Sequence, residues 1–195
     1  RMLLWFNLIS ENKKVSMGSS FETDTKPEFE VKAMGSFVQK PGCPEDAYTA
    51  LGEERVDELC FNECYNPSDD RKFIHRIEVI KVLPQEYVDQ PIEGRILDPW
   101  YTHYCDPNEL GCSFKFSDKD FSIDRKDVSY YVRAIEVPTP QINVKGGVCE
   151  FDAEGNCIKF KLCTQDWRHP RDIETCSEID EHRAWSSPIY LDYLS

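Results

Sequence analysis

From Phe29 to Phe37 apolar and polar side chains alternate, with Phe29, Val31, Ala33 and Phe37 on one side and Glu30, Lys32 and Ser36 on the other. A period of two marks a half-buried strand, and it returns along the chain. Ile74 to Leu83 sets His75, Ile77, Val79 and Leu83 on one side. Val128 to Val137 is the strongest strand segment, stopped by Pro138-Thr139-Pro140. Residues 1–9, the start of 92–104, Ser113 to Phe116 and Ser186 to Tyr193 also read as strands, and Val148 to Phe160 reads as a hairpin around Ala153-Glu154-Gly155-Asn156. Pro44 to Leu59 departs from this. Ala47, Leu51, Val56 and Leu59 have helical spacing, Pro44 suits a first turn, and Gly52 divides the stretch into two short helices. Residues 11–25, with a turn at Met17-Gly18, read as polar connection; Asn66-Pro67-Ser68-Asp69 and residues 164–181 read as loops.

Many strands, turn signals between them and little helix predict a mainly β fold: an antiparallel β-sandwich or partly open barrel with short helices and disulfide-stapled loops. Strands do not alternate with long helices, which weighs against a doubly wound sheet. With 195 residues, no internal repeat and no low-complexity linker, the chain reads as one β-rich domain spanning 1–195.

Nine cysteines are spread over this pattern. Close pairs on a β-rich frame point to disulfides and to folding outside the reducing cytosol, in a periplasmic or secreted setting. The disulfide candidates are Cys60, Cys64, Cys105, Cys112, Cys149, Cys157, Cys163 and Cys176. Cys105 and Cys112 flank a tight loop at Asp106-Pro107-Asn108, and Cys149 and Cys157 flank a hairpin-sized turn. Nine is odd, and Cys43, isolated between Gly42 and Pro44, is the expected leftover thiol. Cys60-x3-Cys64 is half of a zinc pattern, but no second pair of matching spacing and no paired histidines follow, so disulfides are the stronger reading.

Composition excludes some partners. A formal net charge of −13, from 36 acidic and 23 basic residues, disfavours nucleic acid, which needs a clustered cationic surface. No stretch approaches the roughly 18 apolar residues of a membrane-spanning helix. The opening Arg1-Met2-Leu3-Leu4-Trp5-Phe6 lacks the order of a secretory signal and reads as a core strand already under way. Arg1 is therefore not expected to be the natural start: either a signal has been removed or a larger upstream portion is missing.

No catalytic signature stands out. The serines form no Gly-x-Ser-x-Gly elbow and the glycines no phosphate-cradling loop. His75, His103, His169 and His182 have no spacing that brings them together. Asp152 to Asn156 places oxygen side chains around a glycine but lacks the twelve-residue calcium pattern, so a plain hairpin turn is favoured. No catalytic residue, cofactor or metal ligand is assigned in this chain.

Several segments carry a resemblance. They are Phe29 to Phe37 with Lys40-Pro-Gly-Cys-Pro44, Leu59-Cys-Phe-Asn-Glu-Cys-Tyr-Asn-Pro67, Ile77-Glu-Val-Ile80, Asp98-Pro-Trp100, Tyr130-Tyr-Val-Arg-Ala134 and Arg183-Ala-Trp-Ser-Ser-Pro-Ile189. In this order the chain, from about Arg1 to Tyr193, resembles the C-terminal part of the family catalogued as domain of unknown function 3604. That family looks like exported bacterial proteins whose N-terminal portion resembles the PHP-type metal-dependent phosphoesterases. The metal-binding Asp-Leu-His-x-His type of motif is absent here, so no ligand carries over, and any divalent metal belongs to the upstream domain. The resemblance implies an accessory β-domain with the upstream barrel as its partner, and Trp100, Arg133 or Arg183 as contributors to that barrel's pocket. The alternative is a secreted non-enzymatic binding or assembly module, forming a homo-oligomer through sheet edges or the odd cysteine.

Overall fold

The computed structural model describes residues 1–10, 13–61, 63–107, 111–142, 147–162 and 177–194. They group into two compact units, Arg1–Glu136 with Arg183–Ser195, and Val137–His182. The sequence, read as one domain, gave no sign of this division.

The first unit is a two-sheet β-sandwich. In one sheet, β1 (Leu3–Ser10), β2 (Lys13–Ser16), β4 (Glu28–Met34) and β9 (Gly111–Ser117) lie in the order β2-β1-β4-β9, all antiparallel. In the other, β3 (Ser20–Thr23), β7 (Ile74–Val82), β8 (Ile96–Tyr104), β10 (Val128–Glu136) and β16 (Ile189–Tyr193) lie in the order β3-β16-β10-β7-β8, and β15 (Arg183–Trp185) also pairs with β10. One pairing is parallel, β16 with β3. A small hairpin joins β5 (Phe37–Gln39) to β6 (Pro67–Arg71).

The alternating segments supply the core, because period two sends every second side chain to one face. Phe6, Leu8, Phe29, Val31 and Ala33 of the first sheet pack against Ile77, Val79, Val132, Ala134 and Leu191 of the second. Aromatic rings interdigitate between the sheets: Phe29 meets Phe116 and Tyr130 at centroid distances of 4.8 Å each, and Trp100 lies 5.9 Å from Tyr130. Such pairs add roughly 0.5–1.5 kcal/mol each beyond burial. Of the neighbours Tyr130 and Tyr131, only Tyr130 is fully buried.

The helical stretch divides as its glycine predicts. α1 (Glu45–Leu51) follows Pro44 as N-cap, Gly52 (φ 81) turns the chain, and α2 (Glu53–Cys60) follows. A third short helix, α3, is Phe121–Asp124. The last strand is not continuous from Ser186 to Tyr193: Ser186 interrupts it, its hydroxyl accepting the Val132 N–H at 3.0 Å in place of a ladder carbonyl. At the corner after β4 only glycine fits, because a Cβ on Gly35 would stand 1.9 Å from the Lys72 carbonyl oxygen.

Two disulfides belong to this unit. Cys105–Cys112 links the end of β8 to β9, and so ties the two sheets together. The other corrects the sequence reading: Cys64 bonds to Cys43, and Cys60 is in no disulfide. The cause is the end of α2. Phe61 takes the left-handed conformation (φ 52) as its C-cap, the chain turns, and the Cys64 N–H donates to the Gly42 carbonyl at 3.4 Å. That sets Cys64 beside Cys43, with Cα atoms 4.6 Å apart, while Cys60 stays on the helix.

In the second unit β11 (Thr139–Ile142) pairs with β14 (Ser177–Asp180), and β12 (Gly147–Phe151) with β13 (Cys157–Leu162). The expected hairpin is present, bridged by Cys149–Cys157. Its turn is organised by Asp152, whose carboxylate accepts the N–H groups of Glu154 (3.1 Å) and Asn156 (2.8 Å). Ser177–Asp180 is a strand where a loop was expected. Cys163, Cys176 and His169 lie outside the described residues.

Candidate functional site

An open cleft of about 620 Å³ lies on the outer face of the first sheet. It is made by the residues that alternate with the core set on β1, β4 and β9. The pairing registers place them in rows: Leu3, Met34 and Gly111; then Trp5, Lys32 and Ser113; then Asn7, Glu30 and Lys115. Gly111 contributes no side chain at one end, which leaves room beside Met34 and Trp5. Trp5 remains 43% exposed although it stands in the middle strands of the sheet.

The electrostatics of this face run against the whole chain. Glu30 is surrounded by lysines: Lys14 donates a short hydrogen bond to it, Lys32 stands 3.7 Å away, and Lys115 adds its field. The hydrogen bond from Lys14 is the main reason that the Glu30 carboxyl sits below its ordinary pKa. Three lysines around one glutamate make a cationic island on a protein of net charge −13. The face thus offers a flat aromatic surface beside a cluster of fixed charges, a combination suited to holding another surface or an anionic group.

A second constellation is on the outer face of the other sheet. Arg133 donates to Glu78 (2.6 and 2.9 Å) and to both oxygens of Asp98 (2.5 and 3.1 Å), and Arg76 donates to Glu78 at 2.8 Å. Burial by itself would raise the Glu78 pKa, but the hydrogen bonds from Arg76 and Arg133 outweigh it and hold it low. Arg133 is therefore committed to a clasp between β10, β7 and β8. Arg183 is exposed on the same face, its β15 position opposite Ile135. Trp100 is on the opposite face, between the sheets. A register irregularity in β8 near Asp98 turns it inward, where its ring meets Phe116 edge-on and Tyr130 at a tilt. Arg133 and Arg183 thus share the outer face of this sheet, and Trp100 lies on its other side.

The described histidines have different neighbours. His103 stacks on Phe114 at 4.3 Å, His75 has Nδ1 3.1 Å from the Arg76 guanidinium, and His182 is exposed. Among the described residues no group of three His, Cys, Asp or Glu side chains is close enough to hold a metal ion, and no helix is long and apolar enough to cross a membrane. No family model, no curated protein and no solved structure matches the chain.

The cleft residues were not singled out from sequence. Glu30 and Lys32 were placed on the polar side of their strand, which is where they lie. What the sequence could not supply was the register that sets Trp5 beside Lys32.

Proposed function

We propose that this chain is an extracytoplasmic, disulfide-stapled β-module that works by docking. In this reading it is the accessory domain of a larger hydrolase-type protein, performs no catalysis of its own, and packs on an upstream barrel that holds any divalent metal. The observation that carries the reading is the cleft lined by the exposed ring of Trp5. An exposed aromatic ring with apolar neighbours and a rim of charge is the usual anchor of a protein interface. The three disulfides support a location outside the reducing cytosol.

The test compares this chain alone with the same chain carrying its upstream polypeptide. Quenching of Trp5 fluorescence and amide exchange in β1 and β4 should both fall in the longer protein, and Trp5→Ala should remove the difference. Equal accessibility in both proteins, or phosphoester hydrolysis by this chain alone, would overturn the reading.

A second reading, a secreted assembly module, is favoured by one observation. Cys60 is in no disulfide, is half-buried, and stands between exposed Leu59 and Phe61. It predicts a reductant-sensitive dimer on a non-reducing gel that disappears in Cys60→Ser.

A further inference from the structure

Lys81 stands in the core-facing row of β7 with Ile77 and Val79, opposite Tyr130 of β10. A lysine in that row must bring its ammonium into the sandwich, and Lys81 is only 5% exposed. Its Nζ lies 2.6 Å from Oδ2 of Asp118, a residue with no exposed surface placed just after β9. The Tyr130 hydroxyl donates to the same oxygen at 2.5 Å, and the Asp120 N–H donates to Oδ1 at 3.0 Å. The Trp100 ring lies 5.4 Å from the ammonium. An amine and a carboxyl are thus held in contact, in an aromatic interior, with a separate donor on each carboxyl oxygen.

We propose that Lys81 and Asp118 condense to an isopeptide bond, Nζ to Cγ, joining the two sheets covalently. Burying two opposite charges costs several kcal/mol per ion before their attraction is counted, whereas an amide carries no charge. A site that excludes water also disfavours the reverse hydrolysis. Burial alone would raise the Asp118 pKa, but the hydrogen bonds from Lys81, Tyr130 and Asp120 hold it low, so the carboxyl rests ionised. The step therefore begins with proton transfer from Nζ to Oδ2 along their hydrogen bond. The neutral amine attacks Cγ, and the charge that develops on Oδ1 faces the Asp120 N–H, as in an oxyanion hole. Oδ2, already a hydroxyl, receives a second proton from Nζ through the Tyr130 hydroxyl and leaves as water. One C–N bond forms, one C–O bond breaks, and the ammonium and carboxylate become an amide and one water, with no other reactant.

This inference is independent of the docking proposal. The decisive measurement is the intact mass of the full chain, reduced, alkylated and denatured. The expected result is a mass one water below that of the sequence, and a branched peptide after proteolysis that contains both Lys81 and Asp118. A chain of full sequence mass, with the two residues recovered in separate linear peptides, would overturn the proposal. So would Lys81→Arg still showing the loss of water.

Discussion

The sandwich unit and the Val137–His182 unit use the same secondary structure and hold it in different ways. In the sandwich, strands pair laterally and also press a common apolar face against a second sheet, so most ladders sit over buried rings. In the other unit the described strands form two separate two-stranded ladders. Phe151, Ile158 and Ile179 there are each more than 60% exposed. A two-stranded hairpin is marginal in water without a packed face. The hairpin of β12 and β13 is instead held by Cys149–Cys157 and by the Asp152 turn. The contrast separates stability that comes from burial from stability that comes from cross-links and local hydrogen bonds.

The contrast can be broken first at Phe29, which touches Phe6, Phe116 and Tyr130. Phe29→Ala should cost about 3–5 kcal/mol, read as a lower midpoint in urea for the whole sandwich. Next, replacing Cys149 and Cys157 with serine removes a closure spanning 8 residues in sequence. It should cost roughly 2–3 kcal/mol locally. Amide exchange in β12 and β13 should rise while the sandwich midpoint stays in place; a shift of both would mean that the hairpin also stabilises the sandwich. A smaller effect is expected from Tyr130→Phe in the Lys81→Arg background, where Asp118 stays a carboxylate: it takes one donor from that buried group and should cost about 1–3 kcal/mol.

The smallest effect is a pH dependence confined to the sandwich. Burial first, and then the Asp118 carboxylate, push the Tyr130 pKa far above its ordinary value. A group with a raised folded pKa contributes stability that is complete below its unfolded value, here about 10, and is lost as pH climbs above it. Thermal melts of Lys81→Arg between pH 9 and about 11 should show the midpoint falling faster with Tyr130 in place than with Tyr130→Phe. Parallel curves would remove Tyr130 from the account.

Much of the sandwich was legible in the sequence where long strands alternate, as in Val128 to Val137 and Phe29 to Ala33; the strand expected to run on to Phe37 instead ends at Met34, where Gly35 turns the chain and Phe37 begins β5. The short strands β2, β3, β5, β6 and β14 were not, because three to five residues are too few to show a period. The hairpin disulfide Cys149–Cys157 lay in the residues themselves, flanking a turn. Cys43–Cys64 did not, since it depends on a left-handed cap at Phe61 that no residue type announces. One missed signal was present: Lys81 falls in the same row as Ile77, Val79 and Leu83, so the alternation already placed a charge on the apolar side. Nothing in the sequence around Asp118 showed that its carboxylate would meet it. The cleft at Trp5 depends on cross-strand register, which alternation within a single strand does not contain.

The parallel pairing of β16 with β3 also bears on how the protein is made. β3 lies near the start of the chain and its partner near residue 190, and β10 must wait for β15 and β16 until the whole Val137–His182 segment has been synthesised. Neither partner can be replaced by a local contact, and such distant pairings are slow to form. During synthesis the emerging chain would carry β3 and one edge of β10 without partners. A holding chaperone is therefore expected to be needed until the final strand arrives.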